Sequence, residues 1–356
     1  MSLIPPFQPV DSSMVQVLDP DGTVVRPELL PDWDDTKLRE VYKTMILIRR
    51  ADKKFTMLQR TGRSGTYPSM EGQEATQMGM IYAINPDDWV FPAFRELAAC
   101  YMHGVPLEKI YLYWMGDEWG SNYEANVLPV SIPVGSHPLH AVGTGWAFRL
   151  QNKPQITVSF FSDGATSEGM LYEALNFAPV FKSRTVFCCQ NNGWAISTPT
   201  SKQTNAKTLA QKAVAAELRN VRVDGNDIFA MYAVARDAAE LARQNIPVFI
   251  EAMTYRLGNH TTSDDTGKYR SKEEEESARK RDPILRLQKY LVTKNIWTPE
   301  FAKECEADAD KIVSEAVAAA EKVTQKPEDI FDYHYEKKTP ELEAQYGQLK
   351  RIMESA

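Results

Sequence analysis

Residues 160–165 read "FFSDGA" and residues 188–197 read "CCQNNGWAIS". Each is an apolar run that breaks off at short polar residues, one at Asp163 and the other, 29 residues later, at Asn192. Runs of this kind are buried strands, and two neighbours extend the pattern. Apolar segments lie at Ile156–Phe161, Thr185–Cys189, Val221–Val223 and Val248–Met253, with helical periodicities between them at 170–178 and 229–242. Continuous apolar strands alternating with amphipathic helices predict an α/β fold, a parallel sheet with helices on both faces. Ligands of such sheets bind at the carboxyl ends of the strands, where Asp163 and Asn192 fall.

Working outward, residues 1–32 are Pro-rich and read as an irregular N-terminal arm with too little apolar material for a core. From Asp34 the spacing of Leu38, Val41, Tyr42, Met45, Ile48, Phe55 and Leu58 predicts a helix that Thr61-Gly62 stops. A second helix is expected near Gly72-Gln73-Glu74, and residues 116–134 read as a long ordered loop. The expected organisation is the arm, an α/β domain over 33–271, and a helical C-terminal extension over 272–356 packed on the same domain.

With 43% hydrophobic and 25% charged residues, the 356-residue chain has material for a real core. Its net charge of −7 argues against nucleic acid or an anionic membrane as partner. The four cysteines include no CxxC pair. Adjacent Cys188 and Cys189 are expected on opposite faces of one strand, as small core residues in a reducing compartment. No run approaches a membrane span, and "MSLIPPFQPVDSS" lacks the basic and apolar regions of a signal peptide. The expectation is a soluble, cytoplasmic chain.

Asp163 and Asn192 supply oxygen donors, and no Cys or His lies within a few residues of Asp163. Hard oxygen ligands suit Mg²⁺, which takes one or two protein groups and completes its shell with phosphate and water. Gly164 and Ala165 are small enough to let backbone N–H groups approach a phosphate, and a helix starting near Ser167 would point its positive end at the same anion. Asp, Asn and Gly are common at any strand-to-helix turn. The combination of Asp-Gly, Gly169 and Asn-Asn, each pair ending a strand, is far more specific. It predicts Mg²⁺ bridging a diphosphate at the edge of a parallel sheet.

At this point "SDGATSEGMLYEALNFA" (162–178) and "VFCCQNNGWAIS" (186–197) resemble the thiamine diphosphate signature. "GTYPSMEGQEA", "DDWVFPAFRE", "ANVLPVSIPVGSHPLHAVG", "ISTPTSKQT", "VRVDGND" and "YRLGNHTTSDDTGKYRSKEEEE" extend the likeness from about Asp34 to Leu342. The family resembled is that of alpha subunits of heterotetrameric 2-oxo-acid dehydrogenases, nearest to the bacterial pyruvate dehydrogenase type. The resemblance implies a thiamine diphosphate-binding fold and the cofactors thiamine diphosphate and Mg²⁺. Asp163 and Asn192 would hold the metal through side chains and Trp194 through its main-chain carbonyl. Gly164 and Ala165 would donate to the diphosphate, with Phe94 beside it, and Arg95 and Arg256 would clamp it. Val134 would meet the aminopyrimidine through its backbone, and His260 would stand at the mouth of the site as the catalytic histidine, with a loop pKa near 6–7.

The resemblance also implies a beta subunit in an α₂β₂ assembly, a lipoyl domain of an acyltransferase core as acceptor, and pyruvate as substrate. Branched-chain 2-oxo acids and acetoin are the alternatives. Two departures from the family pattern stand out. Ser162 replaces a Gly, which predicts an ordinary negative φ there. Phe94 stands where many relatives carry Tyr. A nicotinamide-binding reading of "VGTGWAF" (142–148) fails on its missing third Gly and its helical character.

Overall fold

Five strands form the sheet of the computed structural model, which describes residues 2–4, 13–324 and 326–355. They are β1 (Trp89–Phe91), β2 (Thr157–Ser162), β3 (Thr185–Asn191), β4 (Arg219–Asp224) and β5 (Val248–Met253). The order is β1-β2-β3-β5-β4, and every pairing is parallel. The two opening stretches are central neighbours, with Phe160 opposite Cys188 and Phe161 opposite Cys189. The α/β sheet agrees with the expectation from sequence. β1 was missed because three residues are too few to show a period.

Alternation along these strands builds two cores. Phe160, Cys188 and Ile250 share one, and Phe161, Phe187, Cys189 and Phe249 share the other. The adjacent cysteines therefore face opposite sides, and all four cysteines are free and buried. Helices α1 (Asp35–Arg60), α2 (Glu74–Tyr82), α3 (His137–Leu150), α4 (Gly169–Val180), α5 (Ile228–Arg243) and α6 (Pro299–Ala320) cover the strands. Val142 of α3 and Leu171 and Leu175 of α4 pack on the Phe161 side. α2 and α5 pack on the Phe160 side, with α1 and α6 outside them.

Local chemistry sets these helices. Asp34 caps α1 by accepting from the Lys37 N–H at 2.8 Å, and Thr61 ends it ahead of Gly62 at φ +72°. Further helices follow at Lys272–Arg279, Pro283–Thr293 and Pro340–Glu354. The "VGTGWAF" run lies inside α3.

The arm is more than a covering. Residues 5–12 lie outside the described residues, but Ile4, Val17 and Leu18 are fully buried. Val15 forms a parallel bridge to Val223 on edge strand β4. Asp227 anchors the arm: one carboxylate oxygen accepts from the Val17 and Leu18 N–H groups at 2.6 Å each, and the other caps α5. At the opposite edge Val127, from the long loop, bridges Val90 of β1. Both edges of the sheet are thus covered, which blocks further strand addition there.

Candidate active site

The carboxyl ends of β1, β2, β3 and β5 converge, and each delivers part of one site. Beyond Ser162, whose φ of −98° is the ordinary value the sequence predicts, the chain turns through a 3₁₀ segment at Asp163–Ser167. α4 then starts at Gly169, two residues later than the expected Ser167. Asp163 is fully buried. Its Oδ2 accepts from Gln203 Nε2 at 2.7 Å and Thr200 Oγ1 at 3.4 Å. Its Oδ1 is buried with no hydrogen-bond partner. Burial pushes its pKa above the usual carboxylate value, against the hydrogen bond from Gln203. A buried carboxylate oxygen without a donor is the environment that a cation completes.

The two asparagines after β3 divide their tasks. Asn191 is tied down, its Nδ2 donating to Glu251 Oε1 at 2.8 Å. Asn192 donates Nδ2 to Gln73 Oε1 at 3.0 Å, while its Oδ1 accepts from the Trp194 N–H at 3.1 Å and keeps a second lone pair. Gly193, at φ +86°, allows this turn. A short hairpin, Trp194–Ala195 with Thr198–Pro199, then folds over the 163–167 segment. A Cβ on Gly164 would stand 3.0 Å from that of Ala195, so the backbone there is closely approached. Asp163 and Asn192 are brought together, and Trp194 lies beside them. Among the described residues no three His, Cys, Asp or Glu side chains gather as a metal centre. A cation here would rest on one carboxylate with carboxamide and main-chain oxygens.

The second half of the site is basic. Arg95, after β1, is buried and donates to the Ser69 carbonyl and, through one Nη2, to the His260 carbonyl at 3.0 Å. Arg256, after β5, is fully buried, donates to the Ile196 carbonyl at 3.0 Å, and leaves Nε without a partner. Arg270 adds a third buried guanidinium, donating to the Arg256 carbonyl at 2.7 Å and lying over the Tyr255 ring. Among the described residues, Asp264 is the one carboxylate within ion-pair reach of Arg256, at 3.9 Å. Burial and the neighbouring Arg256 pull the Arg95 pKa down to about 10. Buried guanidiniums gathered this closely favour an anion beside them.

His260 sits inside this cluster. Its Nδ1 lies 3.2 Å from Arg95 Nη2, and its ring meets Phe94 edge-on. The expected pKa near 6–7 is corrected: burial, then the charges of Arg95 and Arg256, take it down to about 3. The imidazole is neutral at physiological pH. Phe94, Arg95, Val134 and Ala165 line one narrow cleft together with Glu96 and Gln190, and Val134 is partly exposed there. The structure therefore gathers the residues named from sequence around one sheet edge.

Several residues of this site were not legible in the sequence. Thr200 and Gln203 reach Asp163 from beyond the hairpin. Gln73 and Gln190 are brought into one polar chain under the cleft with Glu96, whose pKa burial pushes up to about 7. Gly72 makes that placement possible: at φ +98°, it lies where a Cβ would be 2.3 Å from the Tyr255 carbonyl oxygen. A Glu next to an arginine and a Gln before a helix carry no signal of their own.

Comparison with known proteins gives the family. The dehydrogenase E1 component family matches residues 42–328. A pyruvate dehydrogenase E1 component subunit alpha from Acholeplasma laidlawii is 41% identical over 342 residues, covering 94% of this chain and 99% of the relative. A 3-methyl-2-oxobutanoate dehydrogenase subunit alpha from Mycobacterium tuberculosis is 40% identical over 350 residues, covering 96% and 94%. A Staphylococcus aureus pyruvate dehydrogenase E1 component subunit alpha is 36% identical over 338 residues, covering 94% and 91%. The chain belongs to the dehydrogenase E1 component family.

Proposed function

We propose that this chain is the alpha subunit of a 2-oxo-acid dehydrogenase, with pyruvate as substrate, and that its sheet edge holds thiamine diphosphate through Mg²⁺. One observation carries the reading: a buried carboxylate oxygen without a donor and a group of buried arginines lie at the same carboxyl end of the sheet. A cation satisfies the first and an anion the second, and a metal diphosphate supplies both in one ligand. When bound, thiamine diphosphate supplies the decarboxylation chemistry itself.

The chain's own residues bind, orient and shield. Asp163 and Asn192, with the Trp194 carbonyl, hold the metal. Gly164 and Ala165 offer backbone N–H groups, and Arg95 and Arg256 clamp phosphate oxygens with planar donors. Val134 and Phe94 form the cleft wall. His260, neutral and hydrogen-bonded to Arg95, can accept or donate one proton at the mouth of the cleft. No helix among the described residues is long and apolar enough to cross a membrane, and the reading places the protein in the cytoplasm.

A separate beta subunit completes the site in an α₂β₂ assembly, and the acceptor is the lipoyl domain of an acyltransferase core. The described residues hold a single five-stranded parallel sheet, which supports a need for that partner. His260→Ala is expected to spare cofactor binding, because Arg95 reaches the His260 main-chain carbonyl, which the variant keeps. It is expected to depress lipoyl acylation by about 10²-fold or more. Undiminished acylation would remove His260 from the chemistry.

The functional test is artificial-acceptor reduction by the chain assembled with its beta partner, supplied with Mg²⁺ and thiamine diphosphate. Pyruvate and 3-methyl-2-oxobutanoate are compared. The expected result is a preference for pyruvate that disappears without cofactor. The branched-chain relative matches this chain as closely as the pyruvate ones, and one methylene in an apolar pocket is worth only about 1–3 kcal/mol. A preference for the branched acid would keep the mechanism and reassign the substrate.

A further inference from the structure

Past the hairpin the chain makes a single helical turn at Thr200–Gln203, directly after Pro199. The Thr200 N–H ties the turn back to the Gly193 carbonyl at 3.0 Å. Residues three apart in such a turn share a face, and Thr200 and Gln203 both reach Asp163 from it. Among the described residues these two supply the side-chain hydrogen bonds of the Asp163 carboxylate, and both fall on Oδ2. Gln203 makes the short one, at 2.7 Å. Thr200 Oγ1 stands at 3.4 Å and lies equally close to Asn191 Oδ1, at 3.5 Å, which is a weak contact on both sides.

Gln203 Nε2 carries two hydrogens, and each meets an acceptor. One goes to Asp163 Oδ2 and the other to the Thr198 carbonyl at 3.0 Å. An ionised carboxylate and a carbonyl only accept, so a reversed amide would set its oxygen against both. The neighbours therefore fix the nitrogen between them, although this leaves Gln203 Oε1 buried without a partner. Thr198 lies across the hairpin from Ala195, and Pro199 across from Trp194. One side chain thus joins the end of β2, where Asp163 sits, to the hairpin after β3 that carries Trp194. The close approach of Gly164 to Ala195 sets how near the two backbones come. It does not set how the carboxylate is turned about its own bond.

We propose that Gln203 is a positioning residue for the metal. By holding Asp163 Oδ2 against the Thr198 carbonyl, it presents Oδ1 to the cation and fixes the carboxylate relative to the Trp194 carbonyl. The proposal rests on the reading of Asp163 and Trp194 as metal ligands. Groups that hydrogen-bond a ligating carboxylate orient it, and losing one costs about 10–100-fold in metal affinity. Gln203 acts only through Asp163 and the hairpin.

The test uses the chain assembled with its beta partner, with thiamine diphosphate and Mn²⁺ as the probe. Electron paramagnetic resonance counts free Mn²⁺ and records the spectrum of the bound ion. Gln203→Met keeps the length of the side chain and removes both donors. It is expected to weaken Mn²⁺ by about tenfold or more. The zero-field splitting of bound Mn²⁺ is expected to change as well, because the carboxylate meets the ion differently. Thiamine diphosphate affinity at saturating Mn²⁺ is expected to change far less, since Arg95 and Arg256 are held by other groups. Gln203→Glu gives a test of sign. It keeps the shape and adds a negative charge, which by charge alone would tighten a cation. Two carboxylates repel across the same contact, so positioning predicts weaker Mn²⁺ binding instead.

Unchanged Mn²⁺ affinity and spectrum in Gln203→Met, with normal binding by the wild type, would overturn the proposal alone. Tighter Mn²⁺ binding in Gln203→Glu would do the same. An equal loss of Mn²⁺ and of thiamine diphosphate affinity at saturating Mn²⁺ would mean general disruption of the turn, and would also count against it. Absence of Mn²⁺ binding by the wild type would overturn the underlying metal-site reading together with the proposal.

Discussion

Asp163→Asn is expected to lower metal-dependent cofactor binding and activity by at least about 10²–10³-fold, the cost of losing one member of a buried charge pair. The same change is expected to make the cofactor-free chain more stable. Burial raises the Asp163 pKa above its unfolded value. The folded chain therefore binds more protons than the unfolded one between those two values, and stability falls as pH rises through that interval. Above that interval the unliganded chain carries the cost of ionising a buried group, which the neutral amide removes. A rise in Tm of a few degrees without cofactor, beside a lost Tm rise on adding Mg²⁺ and thiamine diphosphate, is the expected signature. A variant that loses stability without ligand would mean that Asp163 is a structural residue.

The second large effect is expected at Arg256. Its guanidinium is fully buried, with one Nε unpartnered. Arg256→Ala is expected to weaken thiamine diphosphate by about 10²-fold, since a desolvated, charge-assisted phosphate contact is worth about 2–3 kcal/mol. Arg256→Lys is expected to recover only part of this, because an ammonium keeps the charge but loses the planar fork. A second readout separates electrostatics from packing. The charge of Arg256 is one cause of the depressed His260 pKa, after burial and Arg95. Removing it stabilises the imidazolium, so His260 is expected to titrate above about 3, while burial and Arg95 still hold it below its ordinary value. Histidine proton shifts followed by NMR across pH check the sign, and an unmoved or lowered titration would contradict it.

The two central strands of the site, β2 and β3, were legible because each is an apolar run ending at a polar residue. Phe160–Asp163 and Cys188–Asn192 place their last residues at a parallel sheet edge almost by definition. The family likeness then named Arg95, Arg256, Val134 and His260, which no periodicity could have marked. What escaped the sequence depended on three dimensions. β1 is too short to announce itself and is recruited by β2. The arm's Val17 and Leu18 look isolated until Asp227, more than 200 residues away, accepts both of their N–H groups. His260 looks like an ordinary loop histidine until Arg95 and Arg256 surround it, and its shifted pKa belongs to that cluster rather than to its own segment. Gln73, Gln190 and Glu96 each read as unremarkable polar residues, and only the fold buries them in one hydrogen-bonded line.

Calorimetric titration of thiamine diphosphate into the assembled complex, with and without Mg²⁺ and beside unphosphorylated thiamine, tests the central claim most directly. The account predicts binding that needs the divalent ion, weakens sharply in Asp163→Asn and Arg256→Ala, and is absent for thiamine. Equal binding of thiamine, or binding indifferent to the metal, would contradict a sheet edge built to hold a metal diphosphate.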